Sequence, residues 1–224
     1  MKLIEYTSPQ AAAEGLSQIV SRQLQSCVKL RGMSSLALAG GSTPALFLQQ
    51  LARKSLDWRR INITTTDERQ VDIDHERSNA RLVHQNLLLT DDARNSFFAL
   101  NQGLSLAQLR QQFRQYFVPL DVCVLGMGDD GHTASLFPGV DEDLLSPAAQ
   151  HLIESVQPPG DLEARFTLTA RALLMARHIH ILIHGAQKKE VLDKTREPGD
   201  VADMPVRCIW RHADTRVVVH YATD

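Results

Sequence analysis

A glycine-rich loop that carries acids and a histidine is the part of this 224-residue chain best suited to chemistry. The short apolar run Val122–Leu125 predicts a buried strand, and Asp130 and His132 follow it among three glycines. Histidine titrates near neutral pH, so His132 could take up and return a proton in a reaction. Taken alone, a hydrogen-bonded loop histidine without a chemical role is the simpler interpretation.

The same loop matches the G-x-G-x-x-G pattern of dinucleotide-binding proteins over residues 126–131. We reject that interpretation because Asp129 and Asp130 would place negative charge where a pyrophosphate has to bind. In addition, Pro138 follows too soon for the long helix that this fingerprint requires. The acids and the histidine of this loop, rather than its glycine pattern, therefore indicate its function.

A second glycine-rich junction, Gly40-Gly41-Ser42-Thr43-Pro44, links a predicted strand to a predicted helix. Its glycines allow backbone N–H groups to converge, Ser42 or Thr43 could cap the helix, and Pro44 suits the first helical position. A helix N-terminus of this kind can bind phosphate, although a plain helix cap would have the same sequence. The lysine of nucleotide-binding P-loops is missing.

A third candidate is the charged cluster Asp67-Glu68-Arg69, which follows the alternating segment 60–66. Arg69 could bind an oxyanion, and Asp67 could orient a base or a sugar hydroxyl. A surface salt bridge would explain these residues equally well.

Apolar periodicity predicts strands that alternate with helices, which is typical of an α/β fold with a largely parallel sheet. The predicted strands cover residues 2–6, 35–39, 60–66, 122–125, 151–156, 165–169, 178–184, 207–211 and 217–221. The predicted helices cover residues 9–30, 44–51, 78–89, 105–117, 170–177 and 186–194, and residues 91–103 are expected to be irregular. Since the carboxyl ends of parallel strands meet at one edge, the candidate loops should form one site for a small phosphorylated molecule.

Composition narrows the class of protein. The chain is 43% hydrophobic and has a formal net charge of −2, so we expect one domain over residues 1–224 without a nucleic-acid or membrane surface. Three scattered cysteines and the lack of a long apolar segment favour a reducing, cytoplasmic location. The oligomeric state, monomer or small homo-oligomer, is left open.

Three histidines, His178, His180 and His184, share one face of a predicted strand. No carboxylate or cysteine at matching spacing completes a zinc ligand set, so we expect no metal site. A row of half-buried histidines beside the solvent layer is the preferred interpretation.

Taken together, the motifs resemble those of the 6-phosphogluconolactonases. The matching segments, in order, are GGSTP at 40–44, DER at 67–69 with SN at 78–79, GMGDDGHTASLFP at 126–138, RFTLT at 165–169 and GAQK at 185–188. The resemblance implies a three-layer α/β sandwich with a mostly parallel central sheet, like that of sugar-phosphate isomerases and deaminases. It also implies hydrolysis of 6-phospho-D-glucono-1,5-lactone to 6-phosphogluconate in the oxidative pentose phosphate pathway, without metal or cofactor.

The resemblance also implies roles for individual residues. His132 matches the family's catalytic histidine, and Asp67 and Asp130 match acids of its site. The residues that match positions binding phosphate or lying beside it are Gly41, Ser42, Thr43, Arg69, Arg165 and Lys188.

The expected chemistry is general base catalysis. Neutral His132 would take a proton from the water that attacks C1 and return it to the ring oxygen, while Asp130 or Asp67 orients the imidazole. Backbone N–H groups near Gly40 and Gly41 could stabilise the oxyanion.

Two alternatives remain. An amino-sugar-phosphate isomerase or deaminase resembles this pattern but carries a glutamate five residues after the histidine, where this chain has Phe137. A non-catalytic sugar-phosphate sensor could use the same fold, although the histidine and the acids are present.

Overall fold

The computed structural model describes residues 1–41 and 43–223 of the chain. Strands alternate with helices through most of the described residues, as the periodicity predicts. The strands are β1 Lys2–Tyr6, β2 Ser34–Leu38, β3 Ile61–Thr65, β4 Asp67–Arg69, β5 Phe97–Phe98, β6 Val122–Leu125, β7 Ile153–Val156, β8 Arg165–Leu168, β9 His178–His184 and β10 Val217–Ala222. The helices are α1 Pro9–Arg31, α2 Pro44–Ala52, α3 Asn79–Asn86, α4 Asp91–Asn95, α5 Leu106–Phe117, α6 Ala170–Leu174, α7 Ala186–Arg196 and α8 Arg207–Ala213.

Seven strands of the described chain form one sheet, in the order β1-β10-β9-β6-β2-β3-β5. Every pairing in this sheet is parallel; for example, Leu36 of β2 lies opposite Val122 of β6 and Ile63 of β3. The predicted parallel α/β architecture is therefore confirmed. The carboxyl ends of these strands meet at one edge, where the candidate loops begin.

Helices cover both faces of the sheet, because successive side chains of a buried strand point to opposite sides. On β6, Val122 and Val124 pack with α1, α2 and α3, whereas Cys123 and Leu125 pack with α5 to α8. The result is the three-layer sandwich that the resemblance implies.

A second, three-stranded sheet is a feature that the sequence did not predict. Strands β4, β8 and β7 pair antiparallel, so Arg69 lies opposite Arg165 and Asp67 lies opposite Thr167. Alternation at residues 165–169 predicts a strand but not its partners, and residues 67–69 were predicted as a charged cluster rather than as a strand. This small sheet carries three of the candidate site residues.

Two other predictions were wrong. Residues 207–211 belong to helix α8, where buried Cys208 and Ile209 pack into the core and Arg207 donates to carbonyl oxygens at the end of α7. Segment 91–103, expected to be irregular, contains α4 and the edge strand β5, which is too short to show an alternating pattern.

The three cysteines are buried, and none of them forms a disulfide. Cys27, Cys123 and Cys208 are all buried free thiols, and burial raises the pKa of Cys208 to about 12. None of the helices within the described residues is both long and apolar enough to cross a lipid bilayer.

A buried polar chain links β9 and β10 to α1. His180 is only 1% exposed, which corrects the expectation that it is half-buried beside solvent. Its Nδ1 lies 3.0 Å from His220 Nε2 and its Nε2 lies 2.9 Å from Gln23 Oε1, while Tyr6 Oη lies 2.9 Å from His220 Nδ1. In such a chain each neutral imidazole donates one hydrogen bond and accepts one. A second ring proton would place two donors face to face.

We therefore expect stability to fall in mild acid. Burial lowers the pKa of His180 to about 3 and that of His220 to about 4, whereas unfolded histidine titrates near 6.5. Below about pH 6.5 the unfolded chain binds protons that the folded chain excludes, so the free energy of unfolding should drop by about 2–4 kcal/mol between pH 7.5 and 5. Urea unfolding at several pH values measures this drop.

The variant His180→Gln should lose about half of this pH dependence, because its amide bridges the same neighbours without titrating. The matched control is His212→Gln, since His212 is exposed. Equal pH slopes in the wild type and His180→Gln would contradict the assignment.

Candidate active site

A cavity of about 310 Å³ opens at the carboxyl edge of the parallel sheet. Its walls combine residues of the two glycine-rich loops and of the segment after β9 with residues of the small antiparallel sheet. The candidate residues that line it are Gly41, Thr43, Asp67, Arg69, His132, Arg165 and Lys188. Asp130 contacts His132 directly, and Ser42 lies outside the described residues. The expected convergence of the loops is confirmed.

His132 and Asp130 form a contact within one tight turn. Asp130 Oδ1 lies 2.6 Å from His132 Nδ1 and also accepts the backbone N–H of His132 at 3.0 Å. Burial alone would raise the pKa of the Asp130 carboxyl, but the hydrogen bonds and the charge of His132 lower it below the ordinary value. An ionised Asp130 fixes the proton on Nδ1 and leaves Nε2 for chemistry.

Close packing fixes the position of this imidazole. A Cβ atom on Gly128 would lie 2.1 Å from His132 Nδ1 and 2.6 Å from Asp130 Oδ1, so this position requires glycine. The Gly128 N–H donates to the His132 carbonyl at 2.8 Å and closes the loop. On the other side, the ring of Phe137 lies 4.8 Å from the imidazole, centre to centre.

Asp67 is buried and has different partners from those of His132. Its Oδ2 accepts a hydrogen bond from Ser135 Oγ at 2.5 Å and lies 3.8 Å from Arg165 Nη1. Ser135 is fully buried, and its backbone N–H donates to Thr167 Oγ1 at 3.1 Å. These contacts attach the histidine loop to the small sheet.

Two arginines face each other across this small sheet. Arg69 and Arg165 are direct cross-strand neighbours, and both line the cavity. Burial lowers the pKa of Arg165, and the positive charge of Arg69 lowers it further, while Asp67 acts in the opposite direction. Like charges opposite each other are unfavourable, and an anionic ligand between them removes this repulsion.

The N-terminus of α2 opens into the same cavity. Thr43 precedes Pro44, but its side chain makes no capping hydrogen bond, and Ser42, the other predicted cap, lies outside the described residues. Thr43 Oγ1 lies instead 3.3 Å from His184 Nε2. The N–H groups of a first helical turn have no partner within the helix, and they attract anions.

Lys188 lies in the first turn of α7 and reaches the histidine loop. Its Nζ lies 2.7 Å from Asp129 Oδ1, with about a quarter of the side chain exposed. The cavity therefore holds a lysine and two arginines at its wall, together with a helix N-terminus.

Sequence reasoning missed several residues that shape the site. Ser135 holds Asp67, Asp129 pairs with Lys188, and His184 contacts Thr43. Ser135 lies inside the quoted GMGDDGHTASLFP segment, so the signal was present, but its partner is 68 residues away in sequence. No periodicity argument pairs residues at that distance.

Comparison with known proteins identifies the family. The family model described as glucosamine-6-phosphate isomerases/6-phosphogluconolactonase matches residues 7–219. A protein named 6-phosphogluconolactonase from Rhizobium meliloti (strain 1021) is 38% identical over 224 residues, which is 97% of each chain.

Solved structures share the fold. A crystal structure described as a 6-phosphogluconolactonase from Shewanella baltica OS155 has a TM-score of 0.91 and 35% identity, covering 100% of this chain and 98% of that chain. A structure described as a monomeric glucosamine-6-phosphate deaminase has a TM-score of 0.81 at 20% identity and covers 100% and 97% of the two chains, which is similarity of fold alone. The chain belongs to the glucosamine-6-phosphate isomerase/6-phosphogluconolactonase family.

Proposed function

We propose that the chain hydrolyses 6-phospho-D-glucono-1,5-lactone to 6-phosphogluconate. The observation that carries this proposal is the Asp130–His132 pair at the wall of a cavity rich in cationic groups. The cavity volume of about 310 Å³ is at the lower end of the range for small-molecule sites, as a single sugar phosphate requires. Relatives named 6-phosphogluconolactonase support the substrate.

His132 acts as the general base in this proposal. Its Nε2 takes a proton from water while the water oxygen bonds to C1 of the lactone. Asp130, rather than Asp67, orients the ring and stabilises the imidazolium, since Asp130 Oδ1 lies 2.6 Å from Nδ1. Asp67 instead balances the charge of Arg165 and anchors Ser135.

Ring opening completes the reaction. The C1–O5 bond breaks, and the imidazolium of His132 returns its proton to O5, which becomes a hydroxyl group. The new carboxylic acid at C1 then ionises in water. The backbone N–H group at Gly40, which lines the cavity, is the proposed donor to the oxyanion at C1.

The phosphate group binds to the cationic wall. We assign it to the backbone at Gly41 and Thr43, with Lys188, Arg69 and Arg165 as charged partners. Ser42 is proposed for the same role from its sequence position. Binding energy from this remote group holds C1 in place for the attacking water.

Phe137 argues against the isomerase or deaminase alternative. It occupies the position where the family pattern of those enzymes has a glutamate, and its ring packs against His132. The site therefore has an apolar surface at the position where the ring opening and isomerisation of an amino sugar phosphate would need a titratable group.

The wider setting is also a proposal. We place the reaction in the oxidative pentose phosphate pathway and in the cytoplasm, where buried free thiols such as Cys123 are common. We treat residues 1–224 as one domain, because β1 pairs with β10 and the two ends of the chain thus share one sheet.

Hydrolysis of freshly prepared 6-phosphogluconolactone tests the function. We expect acceleration over spontaneous opening that EDTA does not abolish. His132→Asn should lower kcat by about 10²–10⁴-fold, because the general base is lost. Binding of 6-phosphogluconate, measured by calorimetry, should stay near the wild-type value. A wild-type rate equal to the blank contradicts the proposed function, and normal turnover by His132→Asn contradicts the role of His132.

Gly128→Ala should displace the imidazole without removing it. Its Cβ would overlap His132 Nδ1, and a misplacement of about 1 Å can lower kcat by about 100-fold. The matched control is Gly126→Ala in the same loop, where no atom lies within 4 Å of the added Cβ. Steady-state kinetics of both variants, with thermal unfolding as a check, decide the point. If Gly128→Ala and Gly126→Ala have equal kcat values, the packing argument is contradicted.

Lys188→Met should mainly weaken binding of the phosphorylated substrate. Loss of one charged contact to phosphate is expected to raise KM by about 10–100-fold with a small change in kcat. The control is Lys189→Met, because the neighbouring lysine pairs with Asp193 at 2.7 Å instead of lining the cavity. If KM for an unphosphorylated gluconolactone rises equally, Lys188 does not bind phosphate.

A further inference from the structure

We propose that Asn79 is the residue that aims Arg69 into the site. The inference deepens the proposed function, because it concerns how one cation of the phosphate wall is held. Asn79 is 1% exposed and begins helix α3. Its side chain lies between the small sheet and the first glycine-rich loop.

The orientation of the Asn79 amide follows from its two neighbours. Its Nδ2 donates to the Asp67 carbonyl at 2.8 Å, and its Oδ1 accepts from Arg69 Nη1 at 2.9 Å. In the reversed orientation, the amide oxygen would face the Asp67 carbonyl oxygen and the amide NH₂ group would face the Arg69 guanidinium, so neither hydrogen bond could form. Asn79 thus bridges Asp67 and Arg69 in one fixed orientation.

Glu68 anchors this bridge from the opposite side of β4. It is fully buried, and it accepts hydrogen bonds from the backbone N–H groups of Arg69 and Asn79 at 2.8 Å and of Ala80 at 2.6 Å. Burial raises the pKa of Glu68, and these hydrogen bonds oppose the rise. A carboxylate at the N-terminus of α3 also interacts favourably with the helix dipole.

Arg69 is restrained along one edge only. Its Nη1 donates to Asn79 Oδ1 and to the Arg77 carbonyl, whereas its buried Nε has no hydrogen-bond partner among the described residues. A buried donor without a partner is costly, so the position of the guanidinium depends on the two hydrogen bonds that Nη1 donates.

Repulsion makes the restraint necessary. Arg165 lies directly across the strand pair, and without Asn79 the like charges would favour a conformation of Arg69 that leaves the cavity. Asn79 also contacts the first loop, since a Cβ on Gly40 would lie 1.8 Å from Asn79 Oδ1. Asn79 is therefore a positioning residue for two walls of the phosphate site.

The test uses calorimetric binding of 6-phosphogluconate, which does not depend on turnover. Asn79→Ala leaves the Arg77 carbonyl as the one acceptor for Arg69 Nη1, and Asn79→Asp pairs the guanidinium with a carboxylate, so both should raise Kd by about tenfold or more. In kinetics KM should rise with little change in kcat. The matched control is Asn86→Ala at the other end of α3, where the side chain bonds Gln49 and the Leu82 carbonyl.

A purely structural role predicts a different result. In that case Asn79→Ala would lower the thermal midpoint while its folded fraction kept the wild-type Kd, and this outcome would overturn the inference. A wild-type chain that binds 6-phosphogluconate but does not hydrolyse the lactone would overturn the proposed function alone. A wild-type chain that does not bind 6-phosphogluconate would overturn both.

Discussion

Buried charge on the small antiparallel sheet is the constraint that organises this site. Asp67, Glu68 and Arg165 are each less than a tenth exposed, and a buried charge is tolerated only when it is paired or hydrogen-bonded. Asp67 accepts a hydrogen bond from Ser135 on the histidine loop, and Glu68 accepts hydrogen bonds from backbone N–H groups at the N-terminus of α3. Meeting these requirements fixes the histidine loop, β4 and α3 relative to one another, before any ligand arrives.

The parallel sheet could be predicted from the sequence because its signal is local. Runs such as Val122–Leu125 are short, apolar and followed by glycine, so both the strand and the loop after it are evident. The small sheet could not be predicted, because β4 has three residues and its partner β8 lies nearly a hundred residues later. Helix α8 was mistaken for a strand, since its helical conformation depends on tertiary packing of Cys208 and Ile209.

In the site, too, contacts between residues that are close in sequence could be predicted, whereas contacts between distant residues could not. Asp130 reaches His132 within a turn of three residues, so the glycines around them indicate the contact. The sequence nevertheless left Asp130 and Asp67 as equal candidates, because both follow strands at the same edge. The structure distinguishes them, because Asp130 Oδ1 lies 2.6 Å from His132 Nδ1 whereas Asp67 accepts a hydrogen bond from Ser135, a pairing that no pattern in the sequence reveals.

Ion pairs within the protein position two cations of the cavity wall. Lys188 pairs with Asp129, and Arg165 lies close to Asp67, so in the proposed function a phosphate exchanges one anionic partner for another. Exchange gives less net binding energy than a new ion pair would, but the cations need little rearrangement when the ligand arrives. Rigid charges of this kind favour the substrate whose phosphate and C1 fit together. Under the proposed function, specificity depends on the distance between the cationic wall and His132, rather than on the strength of any one contact.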